Sequence, residues 1–90
     1  MKQYPLSAPL GSYGGTDPTK RRKQAELHEV GKLVVDFINA EMAKSAENVR
    51  VFERLEIARA IGADEDSVGQ VLMSFEASDN GVTVFKENAP

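Results

Sequence analysis

Apolar residues recur at steps of three and four through the first half of the chain, the spacing of one face of a helix. This stripe consists of Leu27, Val30, Gly31, Val34, Phe37, Ile38 and Met42, interrupted by Glu41. Asp17 can accept hydrogen bonds from free amides, and Pro18 suits the first helical position. The pattern therefore predicts a first helix over about residues 18–46, with its first turns projecting beyond the core.

The elements predicted after this helix are shorter. Residues 48–52 alternate polar and apolar side chains, as a short edge strand does. The residues predicted to be buried on a second helix are Leu55, Ile57, Ala58 and Ile61. That helix is predicted to end at Gly62, because glycine tolerates the left-handed backbone that follows many helices.

A third helix and a hairpin are predicted in the last third of the chain. Asp64 or Asp66 can cap this helix. The apolar residues at helical spacing on it are Val68, Val71, Leu72 and Phe75. Residues 78–81 read Ser-Asp-Asn-Gly, a turn signal, and residues 82–85 favour a strand. Together they predict a β-hairpin after the third helix.

The N-terminal residues show neither a helical nor a strand period. Their prolines and glycines are Pro5, Pro9, Gly11, Gly14 and Gly15. We expect residues 1–17 to be a flexible tail and residues 18–90 to be the folded domain. The alternative is an arm that docks on a partner through Tyr4 and Tyr13.

Five residues in the middle of the chain have a recognisable spacing. Ala58 is a small residue inside a helix, Ile61 and Gly62 follow at the turn, and Val68 and Val71 lie on the next helix. In this pattern residues 54–73 resemble a helix-turn-helix. A side chain larger than that of Ala58 would push the two helices apart where they cross.

The strand predicted before the second helix and the hairpin predicted after the third extend the resemblance to the winged helix-turn-helix superfamily. The resemblance implies a mostly α fold with a small β-hairpin, that is, a three-helix core plus a wing. Members of the superfamily place the third helix in the major groove of DNA, and the fold also serves protein interaction. The implied function is a small DNA-binding regulator of transcription, or alternatively a protein–protein interaction module.

The distribution of charge indicates partner binding. The formal net charge of the chain is −3. Residues 1–23 hold five basic residues and one acidic residue, a net charge of +4, whereas the remainder holds six basic and thirteen acidic residues, a net charge of −7. Opposite electrostatic fields at two ends of a molecule orient its encounters, although they do not name the partner.

Four adjacent cations lie at the start of the first helix. They are Lys20, Arg21, Arg22 and Lys23, called here the basic cluster. Positive charge at a helix start opposes the helix dipole, so local stability does not explain it. The cluster is a candidate for binding the phosphates of double-stranded DNA, and a solvated helix start is the alternative.

The other candidate DNA contacts surround the predicted helix-turn-helix. They are Arg50, Arg54 and Arg59 near the second helix, and Ser67, Gln70 and Ser74 on the third. We expect the three polar residues to point outward, where Gln70 can pair with an adenine edge. The arginines would contact phosphates, or would instead pair with Glu53 and Glu56 on the surface.

The third helix departs from the usual pattern of a DNA-reading helix. It starts with Asp64, Glu65 and Asp66, which suit the helix dipole but repel phosphates. Gly69 lies inside the helix and has either a local packing reason or a role in close approach to a partner. The acids support the alternative function, in which they meet a basic protein partner.

The sequence contains no pattern that indicates catalysis or metal binding. His28 is the single histidine, its neighbours Glu26 and Glu29 do not complete a metal-ligand set, and there is no cysteine. We therefore expect a protein that is not an enzyme and that uses no cofactor.

Location and assembly are inferred from the apolar positions. No stretch resembles a signal peptide or a membrane span, so we expect a cytoplasmic protein without a membrane partner. Leu33 lies beside the main apolar stripe of the first helix, where a second copy could cover it in a homodimer.

Overall fold

The computed structural model describes residues 2–7, 18–75 and 78–86. In chain order the elements are β1 (Lys2–Gln3), α1 (Pro18–Lys44), β2 (Val49–Glu53), α2 (Arg54–Ile61), α3 (Glu65–Phe75) and β3 (Gly81–Phe85). The three predicted helices are confirmed, and the described chain is mostly α with one small sheet. None of its described helices is both long and apolar enough to cross a membrane.

The predicted stripe of α1 forms one wall of the core. Its residues Leu27, Val34, Ile38 and Met42 are fully or almost fully buried. The helix ends at Lys44, two residues earlier than predicted, where the Ser45 amide donates to the carbonyls of Glu41 and Met42 at 3.0 and 3.2 Å.

The ends of the next two helices, α2 and α3, are fixed by local interactions. Glu53 and Glu56 form a reciprocal capping box at the start of α2. Gly62 ends α2 with a φ of 71°, the left-handed conformation predicted for it. Asp64 and Asp66 are the two predicted candidates for the cap of α3, and Asp64 is the residue that caps it. Its carboxylate accepts hydrogen bonds from the Ser67 amide at 3.0 Å and the Ser67 hydroxyl at 2.8 Å.

Three residues of the predicted helix-turn-helix spacing, Ala58, Val68 and Val71, lie in the core. Ala58 is 3% exposed and belongs to one apolar cluster with Ile57, Val68 and Val71. Two positions on α2 differ from the prediction: Ile61 is half-buried and Leu55 is 40% exposed. Leu55 is the second residue of α2, which has eight residues. Helical spacing alone does not show whether a side chain so close to the start of the helix is buried.

The sheet differs from the predicted hairpin. Its strand order is β1-β3-β2, and β3 pairs antiparallel with β2, with Phe52 opposite Val82. The strands that pair with β3 are β1 and β2, and among the described residues a single strand follows α3, so the hairpin predicted after that helix is not confirmed. The turn signal at residues 78–81 leads from α3 into β3, whose antiparallel partner precedes α2. The wing of a winged helix is therefore not confirmed.

The N-terminal residues supply the third strand. Lys2 and Gln3 pair in parallel with Val84 and Phe85, and Tyr4 and Leu6 pack against the core cluster. The expectation of a flexible tail is therefore wrong for residues 2–7. Two ladder residues are too few to produce a visible period, which is why the sequence pattern missed β1. Residues 8–17, which include Tyr13, lie outside the described residues.

Candidate interaction surface

The basic cluster lies on the first turns of α1. Residues 20–23 are helical and precede Leu27, the first core residue of this helix. Their side chains lie outside the described part of the chain, so whether they contact a phosphate stays a prediction.

Arg50 is engaged within the domain. Its guanidinium donates to the Glu56 carboxylate at 3.1 Å and lies 3.7 Å from the carboxylate of Glu41. It also lies 4.6 Å from the centre of the Phe52 ring, a cation–π contact. Phosphate binding by Arg50 would compete with both carboxylates.

The side chain of Arg54, the first residue of α2, extends over α3. Its guanidinium is 3.4 Å from the carboxylate of Asp79 and 4.0 Å from that of Glu65. A Cβ atom added to Gly69 would lie 3.3 Å from Cδ and Nη1 of Arg54. A larger residue at this position would require the Arg54 side chain, which passes over it, to shift by a few tenths of an ångström. This contact supports a local packing reason for Gly69, and its role in close approach to a partner stays a prediction.

The polar candidates on α3 do not form one outward row. Ser67 is only 7% exposed, and its hydroxyl is bound to Asp64, so the prediction that it points outward is wrong. Its position near the helix start turns the hydroxyl toward the capping carboxylate. Gln70 and Ser74 are exposed as predicted, and the Ser74 hydroxyl donates to the Val71 carbonyl. Arg59 on α2 is exposed as well.

Two open grooves meet at Arg54. The first, of about 540 Å³, is lined by Arg54, Asp66, Gly69, Gln70, Met73, Ser74 and Asp79. The second, of about 520 Å³, is also lined by Arg54, together with Val51, Leu55, Glu65 and Thr83 among others. We call the two grooves together the Arg54 surface. It runs from α3 across the start of α2 to the outer face of the sheet.

The Arg54 surface exposes large apolar side chains. Val51 is 59% exposed, Met73 55% and Leu55 40%. Val51 points away from the helices because its neighbour Phe52 points into the core, and successive strand residues face opposite sides. Sequence reasoning missed this surface, although the larger Phe52 at the adjacent position is a signal that could have assigned Val51 to the outer face.

Acids surround the apolar residues of this surface. Glu65 and Asp66 lie at the start of α3, and Glu53 and Asp79 lie at the rims of the grooves. Helix α3 carries two acidic residues and no basic one. Among the described residues Arg54 is the one cation that lines the grooves, and it is already bound to two of the acids.

Nothing in the described ranges indicates a metal centre. Residues 2–7, 18–75 and 78–86 contain no group of three or more His, Cys, Asp or Glu side chains that could hold a metal ion. The expectation that the protein is not an enzyme stays a prediction.

Comparisons with known proteins give no relative for this chain. No family model matches it, and neither the curated proteins nor the solved structures contain a significant match. The function is therefore argued from the geometry of the Arg54 surface.

Proposed function

We propose that this protein is a protein–protein interaction module that binds its partner through the Arg54 surface. The observation that carries the proposal is the exposure of Val51, Leu55 and Met73 on both sides of an arginine that is held by carboxylates. No catalytic role is assigned to any residue of this surface.

The position of these apolar residues matters more than their number. Single exposed apolar side chains are normal on a protein surface, whereas adjacent ones in concave grooves are typical of interaction sites. Methionine and arginine are also enriched at the centres of protein interfaces, where water is excluded. Met73 and Arg54 line the same groove. A partner that inserted an apolar side chain there would remove Met73 from water.

The charge of the rim favours a basic partner. Among the described lining residues, Glu53, Glu65, Asp66 and Asp79 supply four negative charges against the positive charge of Arg54. Lysine and arginine side chains of a partner would be attracted to this rim, which increases the association rate and orients the encounter. The same field repels a phosphate backbone.

DNA binding is the second candidate function, and two features support it. Gln70 is exposed on α3, and the basic cluster provides four adjacent cations. In this alternative the third helix reads the major groove and the cluster anchors phosphates. It ranks second because Arg50 and Arg54 are ion-paired and the start of α3 is acidic.

A matched pair of variants tests the proposal. In the triple variant Val51→Glu, Leu55→Glu and Met73→Glu, charge replaces the exposed apolar residues of the Arg54 surface. The control is Leu33→Glu, because Leu33 is 45% exposed but lies on α1. The wild-type chain, the triple variant and the control are each used as bait in nuclease-treated lysate of the source cells, after circular dichroism confirms folding.

The proposal predicts a stoichiometric protein partner that the wild-type chain and the control retain. The triple variant is expected to lose that partner by at least about tenfold, since burying a charge at an apolar contact costs more than about 1.4 kcal/mol. Equal recovery by the triple variant, or equal loss by the control, would contradict the assignment of the surface.

A further inference from the structure

The N-terminal residues lie along the edge of the sheet opposite β2. We call the β3 edge and Asn39, which bind these residues, the acceptor site. Lys2 and Gln3 extend the sheet beside β3, and the Tyr4 amide donates to the Phe85 carbonyl at 2.8 Å. Neither Asn39 nor the paired residues Val84 and Phe85 line the grooves of the Arg54 surface.

Asn39 of α1 holds the same segment where the strand ends. Its side-chain carbonyl accepts a hydrogen bond from the Leu6 amide at 2.8 Å, and its side-chain amide donates to the Leu6 carbonyl at 2.9 Å. Both bonds are part-buried and join residues 33 positions apart in the chain. Asn39 therefore binds the backbone of Leu6, the second residue after the Tyr4 bend, through groups that every residue except proline carries.

Side chains add selectivity to this backbone recognition. Tyr4 and Leu6 are partly buried and pack against the core cluster. Lys86 lies 5.9 Å from the centre of the Tyr4 ring, and its ammonium group donates to the Ser45 carbonyl at 2.7 Å. An occupant of the site needs two residues in strand conformation, then a bend that begins at an aromatic residue, and an aliphatic residue two positions after that aromatic residue.

A second copy of this chain can supply that occupant. Ten residues, 8–17, join the segment to α1, and ten residues span at most roughly 33–36 Å. The shorter dimensions of the molecule are 25 and 19 Å, so the fully extended length of these ten residues exceeds both. Every contact made with the chain's own segment would be repeated with the identical segment of a partner, which makes exchange a low-cost route to a dimer.

We propose that the β3 edge and Asn39 form a strand-acceptor site that also binds residues 2–7 of a second copy, so that two chains exchange their N-terminal segments. The exchanged dimer leaves the Arg54 surface of each copy open. Its existence does not depend on the proposed function of that surface.

Cysteine trapping in full-length chains tests the exchange. The chain contains no cysteine, so introduced cysteines can react only with one another. Gln3 and Phe85 are register partners, and neighbouring strands are close enough for a disulfide. A chain carrying Gln3→Cys is mixed with a differently tagged chain carrying Phe85→Cys and oxidised. The control mixture combines Gln3→Cys with Val51→Cys, which lies on the distant strand.

The exchange predicts a covalent heterodimer in the first mixture, with a yield that increases with protein concentration. The yield in the control mixture is expected to be several-fold lower. A single chain that carries both Gln3→Cys and Phe85→Cys is expected to form an internal disulfide at high dilution. Equal yields in the two mixtures would overturn the exchange, and failure of the internal disulfide would overturn the acceptor site itself.

A measurement on the unmodified chain covers the case in which Phe85→Cys unfolds the protein. Isotope-labelled and unlabelled wild-type chains are mixed at high concentration, and nuclear Overhauser effects between different chains are selected. Contacts of Gln3 with Phe85 between chains support the exchange. Detection of these contacts only within single chains overturns it.

Discussion

The two faces of β2 place apolar side chains in opposite environments. Phe52 points toward the helices, is fully buried and meets the ring of Phe37 edge to face, with the ring centres 6.0 Å apart. Val51, one residue earlier, points away from the helices and is 59% exposed. The inner face holds the domain together, whereas the outer face adds little to folding and is free to bind a partner. Stability and binding should therefore respond to different substitutions.

The largest expected difference in stability is between substitutions of these two neighbours, Phe52 and Val51. Phe52→Ala leaves a cavity in the core, and we expect it to lower the free energy of unfolding by about 3–5 kcal/mol. Val51→Ala removes a mostly exposed side chain and should change that free energy by less than about 0.5 kcal/mol. Urea denaturation followed by circular dichroism measures both. A loss of similar size in the two variants would show that the outer face is covered within the chain.

A smaller effect is expected at the start of α3, where Asp64 and Asp66 can be compared. Asp64→Ala removes the carboxylate that caps the helix, and we expect a loss of about 1 kcal/mol. Asp66→Ala removes a carboxylate at the rim of a groove and should leave stability within about 0.5 kcal/mol of the wild type.

The same urea denaturation experiment measures this pair, and affinity for the partner supplies the second readout. We expect Asp66→Ala to weaken binding of a basic partner while Asp64→Ala acts mainly on stability. If Asp66→Ala were the more destabilising of the two, the acid at the rim would have a structural role instead.

The helices could be predicted from the sequence because their signals are local. The stripe from Leu27 to Met42 has the spacing of a helix face, and Gly62 marks the end of α2 through its own backbone preference. Ala58 could be placed in the core because the pattern has a small buried residue at this position, and it is 3% exposed.

The sheet could not be predicted in the same way, because strand pairing is not local. The turn at residues 78–81 has the same composition whether it joins two strands or, as here, leads from a helix into β3. The partners of β3 lie near residue 50 and at the N-terminus, and no turn signal connects them to it.

The Arg54 surface depends on tertiary contacts of individual side chains. The Arg54 side chain crosses Gly69 to reach Asp79 and so connects α2, α3 and the turn before β3. Spacing along one helix does not reveal such a contact. Ser67 shows the same limit, because helical geometry permits an outward direction while the hydrogen bond to Asp64 turns the hydroxyl inward. Candidate residues at such positions need the fold before their roles can be assigned.

The central claim is that the partner meets the Arg54 surface and that DNA does not. The most direct measurement is an NMR titration of isotope-labelled protein, first with the co-purified partner and then with mixed-sequence duplex DNA at low salt, where phosphate binding is strongest. We expect the partner to shift the amides of Val51, Leu55 and residues 69–74, and the duplex to leave them unchanged. Shifts of residues 65–74 that the duplex causes and that high salt removes would contradict the account.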